Sequence, residues 1–246
     1  MELKLYLKEI EKFLLKYLEY AHQDMYVLGL SGGVDSSLCA ALARRAVGKE
    51  RLVCIAIPIN SLPADLKDAK RVAEQLDLKL EIIDGSKAFE QLKAEFDSQG
   101  LELDRATLAN MKARIRMTIL YAYAQKHRGL VLGTDNACER YTGYFTKYGD
   151  GGVDILPIAH LLKREVVEGC KIYGLSNDLA ERTPSAGLFE GQTDESEMGI
   201  TYKDLDDYLL GKKISEEAKE KIERLHRINT HKLVPIPTPE RFNRDE

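Results

Sequence analysis

The amino-acid sequence predicts an α/β protein with a doubly wound, mostly parallel sheet, flanked by helices in a Rossmann-like arrangement of three layers. Short apolar runs with strand character recur along the chain, at residues 25–30, 51–58, 79–83 and 129–133. Helical patterns fill the intervals between them, at residues 36–47, 64–76 and 104–127. Strands that alternate with helices in this way are typical of parallel sheets, because each helix returns the chain to the same edge.

The first element is an amphipathic helix over residues 2–21. Its apolar positions are spaced alternately by four and three, at Leu3, Leu7, Ile10, Leu14, Tyr17 and Ala21. This spacing also fits about three heptads of a coiled-coil seam. A helix that lies on the domain, or at a contact between two copies, is the favoured interpretation.

The later elements are less regular. Residues 84–103 are polar with helical character, and Ser98-Gln99-Gly100 interrupts the pattern. A stretch rich in glycine and aromatic residues, 134–157, predicts a loop region with a function rather than a simple connection between elements. Further helical patterns and irregular segments follow in order: a helix at 163–173, a predicted mobile lid at 182–200, helices at 202–210 and 215–228, and an extended proline-rich tail.

Composition excludes several classes of function. The chain has 246 residues, 44% of them hydrophobic and 31% charged, as in an ordinary globular protein. Its formal net charge of −4 argues against a nucleic-acid partner. The longest apolar run is too short to span a bilayer, and the charged N-terminus does not resemble a signal peptide. Four scattered cysteines without a C-x-x-C pair indicate buried thiols in a reducing cytoplasm.

The most informative segment is the glycine-rich turn Leu30-Ser31-Gly32-Gly33-Val34-Asp35-Ser36, which follows a strand and precedes a helix. Consecutive backbone N–H groups and a helix N-terminus bind an anion such as phosphate. The loop has no lysine, unlike the G-x-x-x-x-G-K-[ST] phosphate loop. Asp35 would repel phosphate unless a cation lay between them, and it is therefore predicted to bind magnesium.

Two further segments carry candidate site residues. Thr134 and Glu139 follow the strand at 129–133, so they are expected to face the same crevice as Asp35, because ligands bind at the carboxyl ends of parallel strands. Glu139 is a candidate second magnesium carboxylate, and the Thr134 hydroxyl a candidate nucleotide contact. Lys147 and Asp154 lie among glycines and aromatics, as in a wall for a planar anionic ligand.

The motifs resemble a known family. The form SGGVDS is similar to the pyrophosphate loop of the N-type ATP pyrophosphatases. The segments Gly133-Thr134-Asp135, Glu139, residues 142–154 and Leu162-Lys163-Arg164 together resemble the ammonia-dependent NAD synthetases over nearly the whole chain. The resemblance implies an adenine nucleotide alpha hydrolase-like fold. It also implies a ligase of the last step of NAD biosynthesis, which adenylates nicotinic acid adenine dinucleotide (deamido-NAD) with ATP and aminates it with ammonia, giving NAD, AMP and pyrophosphate.

The resemblance also implies the role of each residue. Asp35 and Lys163 would be catalytic, and Asp35 and Glu139 would hold Mg²⁺. The implied ATP contacts are Gly29, Leu30, Ser31, Gly32, Gly33, Val34, Asp35, Ser36, Thr134, Lys163 and Ser185. The implied deamido-NAD contacts are Arg114, Lys147, Asp154, His231 and Lys232. Val34 and Ser185 depart from the residues most common in the family, glutamine and threonine.

Three expectations about organisation follow from the same resemblance. Residues 1–246 form a single synthetase domain without a glutaminase domain, so free ammonia is the expected nitrogen donor. The protein is expected to be a homodimer with the helix at 104–127 at or near the interface. It is expected to have no nucleic-acid or membrane partner.

Several alternatives stay open from the sequence alone. The chain could be another adenylating enzyme of the same fold, making GMP, argininosuccinate or thiolated tRNA, or a non-catalytic nucleotide-binding or electron-transfer module. Arg114 could extend from a helix without binding a ligand, and His231 could be a surface residue of the tail. Asp206 and Asp207 are adjacent on a helix and point apart, so they are interpreted as structural or capping acids rather than a metal pair.

Overall fold

The computed structural model describes residues 2–180 and 193–242. The strands are β1 (Met25–Gly29), β2 (Leu52–Ala56), β3 (Leu80–Ile82) and β4 (Gly129–Leu132). The α-helices are α1 (Leu3–Tyr20), α2 (Val34–Val47), α3 (Pro63–Gln75), α4 (Ser86–Ser98), α5 (Arg105–Lys126), α6 (Ala137–Thr142), α7 (Lys163–Ile172), α8 (Asn177–Ala180), α9 (Asp194–Met198), α10 (Tyr202–Leu209) and α11 (Glu216–Leu233). A short 3-10 helix, Lys49–Arg51, precedes β2.

The described strands form a parallel sheet in the order β3-β2-β1-β4, which confirms the predicted fold class. β2 and β3 are added on one side of β1, and β4 on the other, so the direction of winding reverses between β1 and β4. Such a reversal opens a crevice at the carboxyl ends of the two strands. The loops after Gly29 and Leu132 therefore meet there, as the sequence predicts.

Helices cover both faces of the sheet. On one face α1, α2 and α7 pack into the larger core, and on the other α5 packs against β1 and β4. α1 buries Leu7, Ile10, Leu14 and Leu18 against its own domain, mainly on α2, so the favoured interpretation of this helix is confirmed. A third apolar cluster joins α6 to α9, α10 and α11 and includes Cys138, Tyr202, Leu205 and Ile222.

The helix ends predicted from the sequence agree best with the structure where a glycine or an N-cap residue lies at the end of the helix. α4 ends at Ser98 beside Gly100, which adopts a positive φ of 71°. α2 begins at Val34, two residues before the apolar pattern does, since Gly33 is its N-cap. One expectation is wrong: α11 continues to Leu233, so His231 lies in the last turn of a helix and not in the tail.

Part of the predicted lid falls outside the described residues. Residues 182–192 are not described, and Ser185 is among them. Residues 193–200 are described and contain α9, whose N-cap is Thr193. Within the described ranges, no helix combines the length and apolar character that crossing a bilayer requires.

Candidate active site

The glycine-rich loop joins β1 to α2 at the crevice. Gly32 has a φ of 82°, and a Cβ atom there would lie 2.7 Å from the backbone nitrogen of Ala69. Glycine is therefore required both by the backbone conformation and by the close approach of α3. Gly33 ends the loop as the N-cap of α2 without a side-chain cap, which leaves the N-terminal N–H groups of α2 available for an anion.

Serine hydroxyls hold the loop in this shape. The Gly33 N–H donates to Ser31 Oγ at 3.2 Å, and the hydroxyls of Ser36 and Ser37 both donate to the Gly33 carbonyl, at 3.0 and 2.7 Å. The Val34 side chain is buried in the core beneath the loop. This is consistent with a grip made by backbone N–H groups, which does not depend on the side chain at that position.

Lys163 lies between two carboxylates beside the loop. Its Nζ is 2.5 Å from Asp35 Oδ2 and 3.4 Å from Glu139 Oε1. The three side chains come from the first turns of α2, α6 and α7, and the Lys163 side chain is only 6% exposed. The structure thus brings together the predicted catalytic pair and both predicted magnesium ligands.

Neighbouring residues fix these side chains in place. Asn136 caps α6 and donates from Nδ2 to Asp35 Oδ1 at 2.9 Å. The Tyr202 hydroxyl lies 3.0 Å from both Glu139 Oε1 and Asp194 Oδ2, and the Tyr202 ring packs 4.5 Å from Lys163 Nζ. The site is therefore tied to α6, α9 and α10 as well as to the loop.

Asp206 anchors the helix that carries Lys163. This residue is 2% exposed, and its carboxylate accepts the backbone N–H groups of Lys163 (2.9 Å) and Arg164 (3.1 Å) and the Nε of Arg164 (2.8 Å). The Cys138 thiol, adjacent to Glu139, also donates to it at 3.1 Å. The interpretation of Asp206 as a capping acid is confirmed, since a carboxylate on the first N–H groups of α7 is a favourable arrangement.

The three charged groups of the cluster shift one another's pKa values. Burial, and next the Asp35 carboxylate, raise the pKa of Glu139 to about 7. Burial opposes the charge of Lys163, but Asp35 and Glu139 outweigh this effect and raise the lysine pKa. Two carboxylate groups that face one ammonium form the hard oxygen donor set that Mg²⁺ prefers, so the residues present fit this ion.

A cavity of about 240 Å³ opens above the loop. Among the described residues that line it, six are acidic and Arg116 alone is basic. The acidic residues are Asp35, Asp65, Asp135, Glu139, Asp150 and Asp194. Asp135 is 3% exposed, and one of its carboxylate oxygens lacks a hydrogen-bond partner among the described residues; burial raises its pKa well above the usual range. Because these carboxylates would repel a polyphosphate, one could bind in this cavity only together with cations.

A second cavity of about 760 Å³ adjoins the first. The two share a wall that includes Gly29, Ser31, Arg116 and Thr134. The second cavity is lined by α5, by residues 142–153 and by the end of α11, where Asn229 and Lys232 lie. Two ligands, one in each cavity, would therefore lie next to each other at the common wall.

The predicted deamido-NAD contacts fall into two groups. Lys147 Nζ donates to the His231 carbonyl at 2.7 Å, and Arg114 Nε donates to the Lys147 carbonyl at 3.3 Å. Lys232 lines the second cavity and donates to the carbonyls of Gly143 and Phe145. Of these four residues, Lys232 is the one that lines the second cavity, and the other three are linked to one another by hydrogen bonds.

Asp154 lies apart from that group. It accepts from the Tyr121 hydroxyl at 2.9 Å and from the Val131 N–H at 2.7 Å, beside the end of β4. Ser185, a predicted ATP contact, lies outside the described residues.

Sequence reasoning missed several residues of the site. Tyr202 and Asp194 reach it from segments more than fifty residues beyond Glu139, and only the spatial arrangement reveals them. Asn136 could have been found from its position as an N-cap two residues after Thr134. Arg116 lines both cavities, and the helical pattern of the sequence does not indicate which basic residue of α5 faces them.

Known proteins share this chain's sequence and fold. The NAD synthase family model matches residues 6–236. An NH(3)-dependent NAD(+) synthetase of Mesoplasma florum is 41% identical over 244 residues, which are 99% of this chain and 100% of the relative.

Two solved structures agree over nearly their full length. An NMN synthetase from Francisella tularensis is 38% identical with a TM-score of 0.91, covering 97% of this chain and 99% of that one. An NH3-dependent NAD synthetase from Campylobacter jejuni is 28% identical with a TM-score of 0.80, covering 98% and 100%. The resemblance predicted from the motifs is confirmed, and the chain belongs to the NAD synthase family.

Proposed function

We propose that this protein adenylates the carboxylate of deamido-NAD with ATP and then aminates it with ammonia, giving NAD, AMP and pyrophosphate. The observation that carries the proposal is the Asp35–Lys163–Glu139 cluster at a glycine-rich loop, in a member of the NAD synthase family. A carboxylate is a poor electrophile and must be activated before ammonia can attack it. Adenylation provides that activation without a protein nucleophile.

The loop would hold the β and γ phosphates of ATP. The residues proposed for this contact are Gly29 to Ser36, with Thr134, Lys163 and Ser185. Asp35 and Glu139 would hold Mg²⁺, which when bound neutralises charge on the phosphate oxygens. Lys163 is proposed to stabilise the pyrophosphate leaving group, and its contacts with both carboxylates would keep its ammonium oriented beside the phosphates.

The second cavity is the proposed site of deamido-NAD. Lys232 lines it, and Arg114, Lys147 and His231 are linked to one another by hydrogen bonds, with His231 next to Lys232 in sequence. Asp154 is proposed to contact the same substrate from the end of β4. The wall shared with the first cavity is where the substrate carboxylate would approach the α-phosphate.

Free ammonia is the proposed nitrogen donor. The relative from Mesoplasma florum, named for NH(3) dependence, is matched over its whole length by this chain. We propose that residues 1–246 act as one synthetase domain. We also propose a cytoplasmic location, consistent with four free, buried cysteines, and a homodimer with α5 at or near the interface, which sedimentation equilibrium would test.

A second candidate differs in the substrate. The structural similarity to an NMN synthetase, with a TM-score of 0.91, favours amidation of a nicotinic acid mononucleotide by the same chemistry. The test measures pyrophosphate release from ATP with deamido-NAD, with the mononucleotide, and with neither. Release that depends on deamido-NAD supports the first proposal, preference for the mononucleotide supports the second, and no substrate-dependent release contradicts both.

Replacing Asp35 with asparagine is expected to lower kcat by about 10²–10³-fold, because the substitution keeps the shape but removes a charge from the proposed magnesium site. Stability should change much less, by about 1 kcal/mol, because Lys163 keeps its contact with Glu139. Pyrophosphate release and urea unfolding measure the two effects. Asp77→Asn is the matched control, since Asp77 is an exposed partner of Lys49. Equal losses of rate and stability would indicate a structural role.

The rate at fixed total ammonium is expected to rise with pH, because the reactive species is unprotonated ammonia. At fixed free ammonia, calculated at each pH, the rise should disappear. Glutamine in place of ammonium should support no turnover with the purified protein. Turnover with glutamine alone would contradict the proposed nitrogen source.

A further inference from the structure

We propose that Arg116 contacts the α-phosphate of ATP as the substrate carboxylate attacks it, an inference that rests on the proposed adenylation. In that step a carboxylate oxygen bonds to the α-phosphorus while the bond between this phosphorus and the bridging oxygen breaks. Pyrophosphate leaves with the electron pair. A residue that lies where both reacting anions meet would act on this step.

The first argument is position. Arg116 belongs to α5 and lies in the wall common to the two cavities. The loop, which would hold the β and γ phosphates, also lines the first cavity. Because attack is in line, the carboxylate approaches from the side opposite the pyrophosphate. The α-phosphate must then lie at the common wall, where the substrate carboxylate can reach it.

The second argument is charge. Arg116 is the one basic side chain among the described residues that line the first cavity, where six are acidic. Lys163 is already bound by Asp35 and Glu139, and its proposed place is beside the pyrophosphate leaving group rather than at the common wall. Arg116 would therefore be the nearest available cation to a phosphate at the common wall.

The third argument is the hydrogen-bonding capacity that Arg116 retains. Its Nε donates to the Ile57 carbonyl at 3.0 Å, and one terminal nitrogen donates to Ser61 Oγ at 3.2 Å. Both partners are neutral, and no carboxylate in the described chain lies within ion-pair distance of it. A guanidinium has five N–H donors, so others remain for an anion. The two contacts orient the side chain beside the end of β2.

The test compares Arg116→Met and Arg116→Lys with the parent protein in substrate-dependent pyrophosphate release. Arg116→Met should lower kcat by about 10²–10³-fold, as does removal of a group that stabilises transition-state charge. The KM for ATP should rise less than about fivefold, because the loop makes the other phosphate contacts. Arg116→Lys should recover part of kcat, since lysine restores the charge without the planar fork.

Thermal melting without ligands separates this role from a structural one. Because the hydrogen-bond partners of Arg116 are neutral, the melting temperature of Arg116→Met should stay within about 4 °C of the parent. Arg51 is the matched control: it also donates to neutral acceptors, the backbone carbonyls of Asp24 and Gln23, at the opposite end of β2. Arg51→Met should keep kcat within about twofold.

Three results would overturn the inference: a kcat of Arg116→Met within about threefold of the parent, a change confined to the KM for ATP, or a kcat restored merely by lowering the temperature of an unstable variant. An inactive parent protein would instead contradict the proposed function. If the parent prefers the mononucleotide, the same comparison is made with that substrate.

Discussion

Lys163→Met is expected to abolish measurable turnover and to lower the free energy of unfolding by about 3–5 kcal/mol. The substitution keeps the aliphatic stem but leaves Asp35 and Glu139 facing each other with no ammonium between them. Unpaired buried charge is costly, and the loss of a cation beside the leaving group removes catalysis as well. Urea unfolding and pyrophosphate release measure the two losses.

The stability deficit of Lys163→Met should grow with pH. The pKa of Glu139 is already raised to about 7 by burial and by Asp35, and the Lys163 ammonium is the largest of the effects that oppose this rise. Without the lysine, Glu139 binds a proton more readily in the folded than in the unfolded state. Folding then gains stability at low pH, and that gain is lost as the pH rises through the folded-state pKa. Unfolding at pH 6 and 8 tests the direction.

Two controls define the source of the effect. Lys171→Met, on the same helix, should change the free energy of unfolding by less than about 1 kcal/mol. Adding Asp35→Asn to Lys163→Met should recover part of the loss, since it removes one of the two unpaired charges. The changes in the free energy of unfolding of the two single variants are added and compared with that of the double variant. If the double variant is less stable than this sum predicts, the electrostatic explanation is wrong.

Gly32→Ala is the second substitution with a large expected effect. The new Cβ atom would lie 2.7 Å from the Ala69 nitrogen and 2.9 Å from Asp68 atoms, so the loop or α3 must move. Overpacking of this kind costs about 1–3 kcal/mol, to which the strain of a positive φ is added. Because the loop N–H groups would shift, substrate-dependent pyrophosphate release should fall at least about 100-fold.

Gly174→Ala provides the matched control for Gly32→Ala. Gly174 has the same φ of 82°, but a Cβ atom there meets no heavy atom within 4 Å. This variant should lose only about 1–2 kcal/mol of stability and keep its activity. Thermal melting and turnover of both variants separate backbone strain from the collision with α3. Equal effects would show that the collision is unimportant.

The sequence predicted the sheet well because its strands are short apolar runs separated by amphipathic helices. The predicted run at 79–83 contains β3, Leu80–Ile82, and the run at 129–133 contains β4, Gly129–Leu132. The glycines that follow β1 in the sequence correctly predicted the loop before α2. The end of α11 was misplaced, because prolines nearby suggested an extended tail while the helical residues before Pro235 continue the helix.

The site was predictable only where a motif is continuous in sequence. Asp35, Glu139 and Lys163 were found because each lies in a recognisable segment, and the structure joins them. Tyr202 and Asp194 could not be found, since their roles arise from packing of α9 and α10 against α6. Arg116 could not be assigned because periodicity alone does not indicate which of three basic residues faces a cavity.

The anchoring of α7 by Asp206 has a consequence for the order in which the elements fold during synthesis. All strands of the described sheet lie within residues 25–132, whereas the carboxylate that fixes the first turn of α7 arrives with α10. During synthesis on the ribosome, the sheet and the glycine-rich loop can therefore assemble before Lys163 is oriented. A nascent chain that ends before residue 202 would contain the sheet and the proposed phosphate loop but no aligned lysine.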